Sequence, residues 1–230
     1  MEKIFNKYEL IFCMLLIILY ILLNLFCIQV YGLIDYRSVI INSLFSIFLV
    51  ILIILLKRVS YYGINKITNI RKYLYFFPLI LILSVNFWNG FNINNSIGEF
   101  ICYILTMINI GFIEEIIFRG FLFKMMEKDN LKVAIFVNAF TFGIGHIINL
   151  VNGSELIPTL FQVCYAFSIG YLFVIIFYKS KSLIPCIITH CLMNSFSIFN
   201  VDNSKIIYIS SIFLIIVPLV YANYLNKKIE

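Results

Sequence analysis

Charged side chains are scarce in this sequence, and their scarcity excludes most classes of soluble protein. Only 12% of the 230 residues are charged and 63% are apolar, whereas soluble domains are about 25% charged. A soluble fold of this size needs a polar shell, and the few polar residues here fall in short clusters between long apolar runs. The composition therefore predicts a protein whose main solvent is lipid.

Closely spaced cysteine pairs are absent as well. None of the six cysteines is part of a CxxC pair, which argues against a zinc ribbon or a redox site. All six lie inside apolar runs rather than in loops, so we also do not expect a disulfide framework. We predict that they are small buried hydrophobic residues: Cys13, Cys27, Cys102, Cys164, Cys186 and Cys191.

Long apolar stretches are what the sequence has in abundance. Eight of them have the length of a membrane span, which predicts an all-α polytopic membrane protein with about eight transmembrane helices around a conical, cavity-forming core bundle. The first is too long for a signal peptide, and no A-x-A-like cleavage site follows it. The predicted spans are approximately 10–32, 38–56, 73–92, 98–123, 132–151, 156–178, 183–199 and 206–224.

The basic residues predict how these spans are oriented. With the N-terminus in the cytosol, fourteen of the seventeen Lys and Arg residues lie on the cytosolic side and only Arg37 and Lys205 on the outer side. This distribution follows the positive-inside rule and predicts that both termini are cytosolic. The net charge of +6 therefore reflects the orientation of the spans in the membrane. Because no nucleic-acid-binding module is recognisable, we expect no nucleic acid as a partner.

Polar residues divide the chain into three parts. The spans of residues 1–97 have no ionisable residue at their centres, so we interpret them as N-terminal anchoring helices. Residues 98–200 contain the intramembrane polar residues and are the predicted functional core. Residues 201–230 form a C-terminal transmembrane helix and a short cytosolic tail.

The fourth span contains charges that need an explanation, because each costs about 2.5–3.5 kcal/mol to insert. Glu99 lies at its outer edge, whereas Glu114, Glu115 and Arg119 lie deep. Glu115 and Arg119 are four residues apart and can form an ion pair on one helix face. Glu114 points about 100° away from that face. It is free to meet other helices and is the better catalytic candidate.

The only two histidines of the chain also lie inside predicted spans. His146 is in the fifth span, and His190 is in the seventh, where Asn194 shares its face. A rise of about 1.5 Å per residue places these groups at depths of about 10–20 Å, similar to that of Glu114. One carboxylate, two imidazoles and an amide at these depths could polarise water and stabilise an oxyanion.

Each of these residues also has a simpler interpretation. An intramembrane histidine can merely bond a neighbouring helix, and a Glu-Glu pair can line a proton or ion path. A proton-coupled transporter or channel is therefore one alternative, although the sequence lacks the internal duplication typical of transporters. A non-catalytic immunity or scaffold protein that binds a peptide is another.

Three motifs in order resemble those of the CPBP family of intramembrane proteases, which includes CAAX prenyl endopeptidases and bacterial proteins grouped as abortive-infection or bacteriocin-immunity proteins. The family pattern EExxxR, FxxxH and HxxxN is similar to three stretches here, which begin at Glu114, Phe142 and His190. The resemblance covers about residues 98–200. It implies an endopeptidase that cleaves a membrane-associated peptide or protein.

The resemblance also implies roles for individual residues. Glu114 and His146 would activate the attacking water, and His190 and Asn194 would bind the oxyanion or help to hold a metal. The residues that would organise these groups are Glu115, Arg119 and Phe142.

The metal requirement stays open. Glu114, His146 and His190 match the ligand chemistry of a catalytic zinc ion. However, the HExxH spacing is absent, and a metal-free scheme with Glu114 as general base is equally compatible with the sequence.

The residue usage suggests a setting for this activity. Rich Ile, Asn and Lys content is typical of an AT-rich bacterium, which predicts a multi-pass protein of the bacterial plasma membrane. Peptide maturation, bacteriocin processing or self-immunity is then favoured over cleavage of a prenylated CAAX protein.

Overall fold

Helices make up all the regular structure of the described part of this chain. The computed structural model describes residue 5 and residues 7–64, 76–201 and 204–228. The helices in these ranges are α1 (Glu9–Val30), α2 (Tyr36–Leu55), α3 (Leu79–Ser84), α4 (Ile97–Glu114), α5 (Leu131–Gly145), α6 (Leu156–Ser180), α7 (Ile184–Phe196) and α8 (Ser204–Lys228). A π-helix, Glu115–Phe123, continues α4, and short 3-10 turns extend α3, α5 and α7.

Six helical segments of the described chain are long and apolar enough to cross a membrane. They are Glu9–Val30, Tyr36–Leu55, Ile97–Met126, Leu131–Leu150, Leu156–Ser180 and Lys205–Lys227. A shorter apolar helix, Ile184–Phe199, lies at the seventh predicted span. The predicted all-α, polytopic membrane architecture is thereby confirmed.

The third predicted span, 73–92, contains less helix than predicted in its described part. Its first three residues lie outside the described part, as do Lys3, Lys66, Arg71 and Lys72 of the topology argument. After Phe76, the helical pieces of the described remainder are α3 and the 3-10 turn Val85–Phe87. These cover about 13 Å of rise, less than half of the hydrocarbon thickness of about 30 Å. Apolar composition set the predicted length, but the chain turns at Gly90, whose φ is +103°.

Helix α6 is the central helix of the bundle. It packs against α5 on one side and α8 on another, while α4 packs against α2 and α7. More than half of its span is buried inside the protein, the largest share among the six spans.

The predicted burial of the six cysteines is confirmed only in part. Four are buried and Cys102 is half-buried, but the prediction is wrong for Cys164, which lies on an exposed face of α6.

The first turn of α4 explains Glu99, the acidic residue at the outer edge of the fourth predicted span. Ser96 caps the helix by accepting a hydrogen bond from the Glu99 backbone N–H. The Glu99 carboxylate in turn accepts from the Ser96 backbone N–H at 2.8 Å. This capping box satisfies two amide groups that the start of a helix leaves unpaired. Glu99 therefore has a structural role and no link to the deeper charges.

Glycine permits the close contact between α5 and α6. A Cβ atom at Gly143 would lie 2.9 Å from the backbone N of Phe167 and 2.9 Å from the carbonyl O of Val163, whereas a Cβ atom at Gly145 would meet nothing within 4 Å. We therefore expect Gly143→Ala to destabilise the protein by about 1–3 kcal/mol.

Gly145→Ala is the matched control in the same helix, and we expect it to be neutral or slightly stabilising. Unfolding in mixed detergent micelles measures both variants. Equal stability of the two would show that α5 and α6 do not approach each other at Gly143.

Candidate active site

The candidate site is built on the π-helix that continues α4. All nine residues of Glu115–Phe123 are buried. A π-helix bonds each N–H five residues back instead of four, and π-helical turns occur often at functional sites. The Asn138 amide of α5 also donates to the Phe118 carbonyl of this π-helix at 2.5 Å. This bond ties the widened turn to the neighbouring helix.

The predicted ion pair of the fourth span is present at this turn. Arg119 Nη1 donates to Glu115 Oε1 at 3.1 Å, and both side chains are 0% exposed. The guanidinium lies over the Phe142 ring, with its central carbon 4.0 Å from the ring centroid. A Cβ atom at Gly170 would lie 3.3 Å from Arg119 Nη2, so this glycine leaves the space that the guanidinium occupies.

His190 of α7 lies between the two glutamates. Its Nδ1 is 2.8 Å from Glu115 Oε1, and its Nε2 is 3.4 Å from Glu114 Oε2. The short distance between α4 and α7 depends on Gly111, where a Cβ atom would lie 3.0 Å from the Cys191 backbone N. The structure thus brings together Glu114, Glu115, Arg119 and His190, four of the predicted site residues.

A tyrosine of the first span contacts the same site and was missed by the sequence analysis. The Tyr20 hydroxyl donates a short hydrogen bond to Glu114 Oε1. Asn24 Nδ2 donates to the Tyr20 oxygen at 3.0 Å. Two polar residues four positions apart within an apolar span were a usable signal. Neither residue is ionisable at ordinary pH, so neither stands out among the charged residues inside the spans.

His146 lies beside the cluster, and Asn194 lies one helical turn beyond His190 on α7. His146 Nδ1 lies 3.0 Å from the Phe142 carbonyl O, and its ring meets the Phe142 ring edge-on with centroids 5.3 Å apart. The same Phe142 ring lies 5.6 Å from the His190 ring, centroid to centroid. No hydrogen bond within the described ranges joins the His146 ring to Glu114, and the side-chain amide of Asn194 makes none there either.

The donor set does not fit a three-ligand metal in this arrangement. In the described part of the chain, no three His, Cys, Asp or Glu groups come close enough together to hold a metal ion. Both nitrogens of His190 face carboxylate oxygens, and the nearest group to His146 Nδ1 is a backbone carbonyl.

Two cavities lie at another part of the protein. Their volumes are about 220 and 380 Å³, and both are lined by Tyr61, Glu127, Tyr178 and Lys181. Neither is lined by a residue of the cluster around Glu114. The cluster is enclosed by contrast: the side chains of Glu114 and His190 are 13% and 7% exposed. Because water is scarce there, charges in the cluster interact strongly with one another.

The segment that contains Glu114, Glu115, Arg119 and His190 is similar to a known protein family. Residues 96–196 match the family model described as "Type II CAAX prenyl endopeptidase Rce1-like". This match confirms the CPBP resemblance over those residues and supports a CAAX-protease-like intramembrane endopeptidase. It begins at the cap of α4 and includes all three motifs. Searches of curated proteins and of solved structures gave no match.

Proposed function

We propose that this protein hydrolyses a peptide bond in a membrane-associated peptide or protein, using water activated by Glu114, because residues 96–196 match the Rce1-like family model. One observation supports this role above all others. The Glu114 carboxylate lies inside the bundle with one oxygen bonded to Tyr20 and the other facing His190. A carboxylate held in this way can act as a general base on a water molecule beside it.

The proposed reaction starts at the water. Glu114 takes one proton from it, and the water oxygen forms a bond to the carbonyl carbon of the substrate. The carbonyl oxygen then holds the negative charge of a tetrahedral intermediate. When the C–N bond breaks, Glu114 returns the proton to the leaving nitrogen, so that a carboxylic acid and an amine are released. His146, which borders the cluster beside Phe142, is proposed to orient the water.

His190 and Asn194 are proposed to stabilise the oxyanion. His190 Nδ1 lies 2.8 Å from Glu115 Oε1, so the other ring nitrogen, Nε2, is the one on the side of Glu114, 3.4 Å from its Oε2. Arg119 fixes Glu115 in turn. Asn194 lies one helical turn beyond His190 on α7, and its side-chain amide has no competing hydrogen bond to the described residues. Preorganised donors of this kind stabilise developing negative charge.

The proposed biological setting is the plasma membrane of a bacterium, with both termini in the cytosol, as the distribution of Lys and Arg predicts. Maturation of a peptide, including a bacteriocin, or self-immunity is the proposed role. The family name supplies a first probe, a farnesylated peptide that ends in Cys-aliphatic-aliphatic-X.

The test uses purified protein in proteoliposomes. We expect cleavage of an internally quenched, farnesylated peptide of this type, or release of peptides from bacterial membranes incubated with the protein and analysed by mass spectrometry. Absence of peptide release in both assays, together with proton flux across the liposomes, would favour the transporter alternative. Equal protection of bacteriocin-treated cells by wild type and His146→Ala would favour the peptide-binding immunity protein.

A further inference from the structure

The first span contributes a side chain to a site that otherwise lies within residues 96–196. Tyr20 of α1 is only 4% exposed, and its hydroxyl reaches a glutamate 94 positions later in the chain. Helix α1 also packs against the π-helix that begins at Glu115. The contact therefore joins an element outside the family-matched segment to the proposed general base.

The hydrogen bonds around Tyr20 have a defined direction. Asn24 Nδ2 donates to the Tyr20 oxygen at 3.0 Å, so that oxygen acts as the acceptor in this bond. Its own proton then points to Glu114 Oε1, because an ionised carboxylate can only accept. Asn24 thus orients the phenol, and the phenol holds one oxygen of the carboxylate.

Holding one oxygen restricts what the other can do. With Oε1 occupied by Tyr20, Oε2 is the oxygen that faces His190 at 3.4 Å. A carboxylate free to rotate would exchange its two oxygens and would hold the water in several positions. Loss of orientation at a general base lowers the rate even when substrate still binds, because only correctly placed water reacts.

We propose that Tyr20, oriented by Asn24, is a positioning residue that fixes the Glu114 carboxylate for attack by water. This inference rests on the proposed function. It also predicts that the family-matched segment is insufficient for full activity, because the donor to the proposed general base is on α1.

Tyr20→Phe is the direct test, in the full-length protein and with the farnesylated quenched peptide as probe. The variant removes the hydrogen bond to the charged Glu114 carboxylate. We expect this loss to lower kcat by about 10- to 100-fold and to change KM by less than about twofold. Tyr221→Phe is the matched control. Tyr221 is also a buried tyrosine within a span, but its hydroxyl has no hydrogen-bond partner in the described structure, so kcat and KM should not change.

Thermal unfolding tests whether Tyr20 acts through Glu114. Tyr20→Phe should lower the midpoint in the wild-type background and have no further effect in Glu114→Ala, because coupled residues are non-additive. An unchanged kcat in folded Tyr20→Phe overturns the inference, as does a rise in KM that accounts for the whole loss of activity. If Tyr20→Phe does not fold, Asn24→Ala replaces it, with an expected fall in kcat of about 3- to 10-fold, and an unchanged kcat again overturns the inference.

The two proposals fail in different ways. Absence of cleavage by the wild-type protein would remove the proposed function itself, whereas continued cleavage by Glu114→Ala would remove the role of Glu114 as general base. An inactive Glu114→Ala together with a fully active Tyr20→Phe would leave that function intact and remove only the role of Tyr20.

Discussion

Glu114→Gln is expected to lower kcat for peptide cleavage by about 10²- to 10⁴-fold, the range typical for loss of a general base. Glutamine has the shape of glutamate but cannot take a proton from water. Its amide oxygen can still accept the hydrogen bond from Tyr20, so the contact between α1 and α4 should survive. The measurement is kcat and KM with the quenched peptide in proteoliposomes.

The matched control for this variant is Glu99→Gln in the same helix. Glu99 is a partly exposed residue of the capping box at the start of α4, and we expect cleavage rates close to those of wild type. Both variants should insert into membranes and elute from size-exclusion columns like wild type. Wild-type kcat in Glu114→Gln would show that another group activates the water.

Arg119→Met is expected to destabilise the protein by about 3–5 kcal/mol, because it leaves the buried Glu115 charge without its cation. Both partners of this ion pair are 0% exposed, so water does not screen the remaining charge. Methionine fills much of the volume of the arginine side chain but cannot donate to the carboxylate. The guanidinium also lies 4.0 Å from the Phe142 ring centroid, and this contact is lost as well. Reversible unfolding in mixed detergent micelles gives the free energy of unfolding.

Two further variants separate charge from packing in this prediction. Arg37→Met removes the arginine of a solvent-accessible ion pair, in which the side chain of Arg37 is 50% exposed and that of Asp35 is 20% exposed. This variant should change stability little. The double variant Glu115→Leu with Arg119→Met should recover most of the loss, since an apolar pair can replace a buried ion pair. If Arg119→Met were as stable as Arg37→Met, the buried pair would contribute nothing to stability.

The sequence by itself determined the class of fold and the local pairs of the site. Apolar runs of span length fix lipid as the solvent, and in lipid a helix satisfies its own backbone hydrogen bonds. Spacing of four residues places Glu115 and Arg119 on one helix face, and their ion pair follows from that local geometry. The three motifs led to the resemblance to the CPBP family, and the match over residues 96–196 confirmed that resemblance for this segment.

Tertiary structure decided which helix faces meet. The Tyr20 hydroxyl reaches Glu114 from a span that the sequence presented only as an anchor. His146 and Asn194 were expected at the reacting centre, yet no hydrogen bond in the described structure joins either side chain to Glu114. Hydrophobic periodicity is a local property that recurs every few residues, so it cannot encode such contacts. They depend on how closely helices approach. Here glycines permit the close approach, because a Cβ atom at these positions would collide with the neighbouring helix.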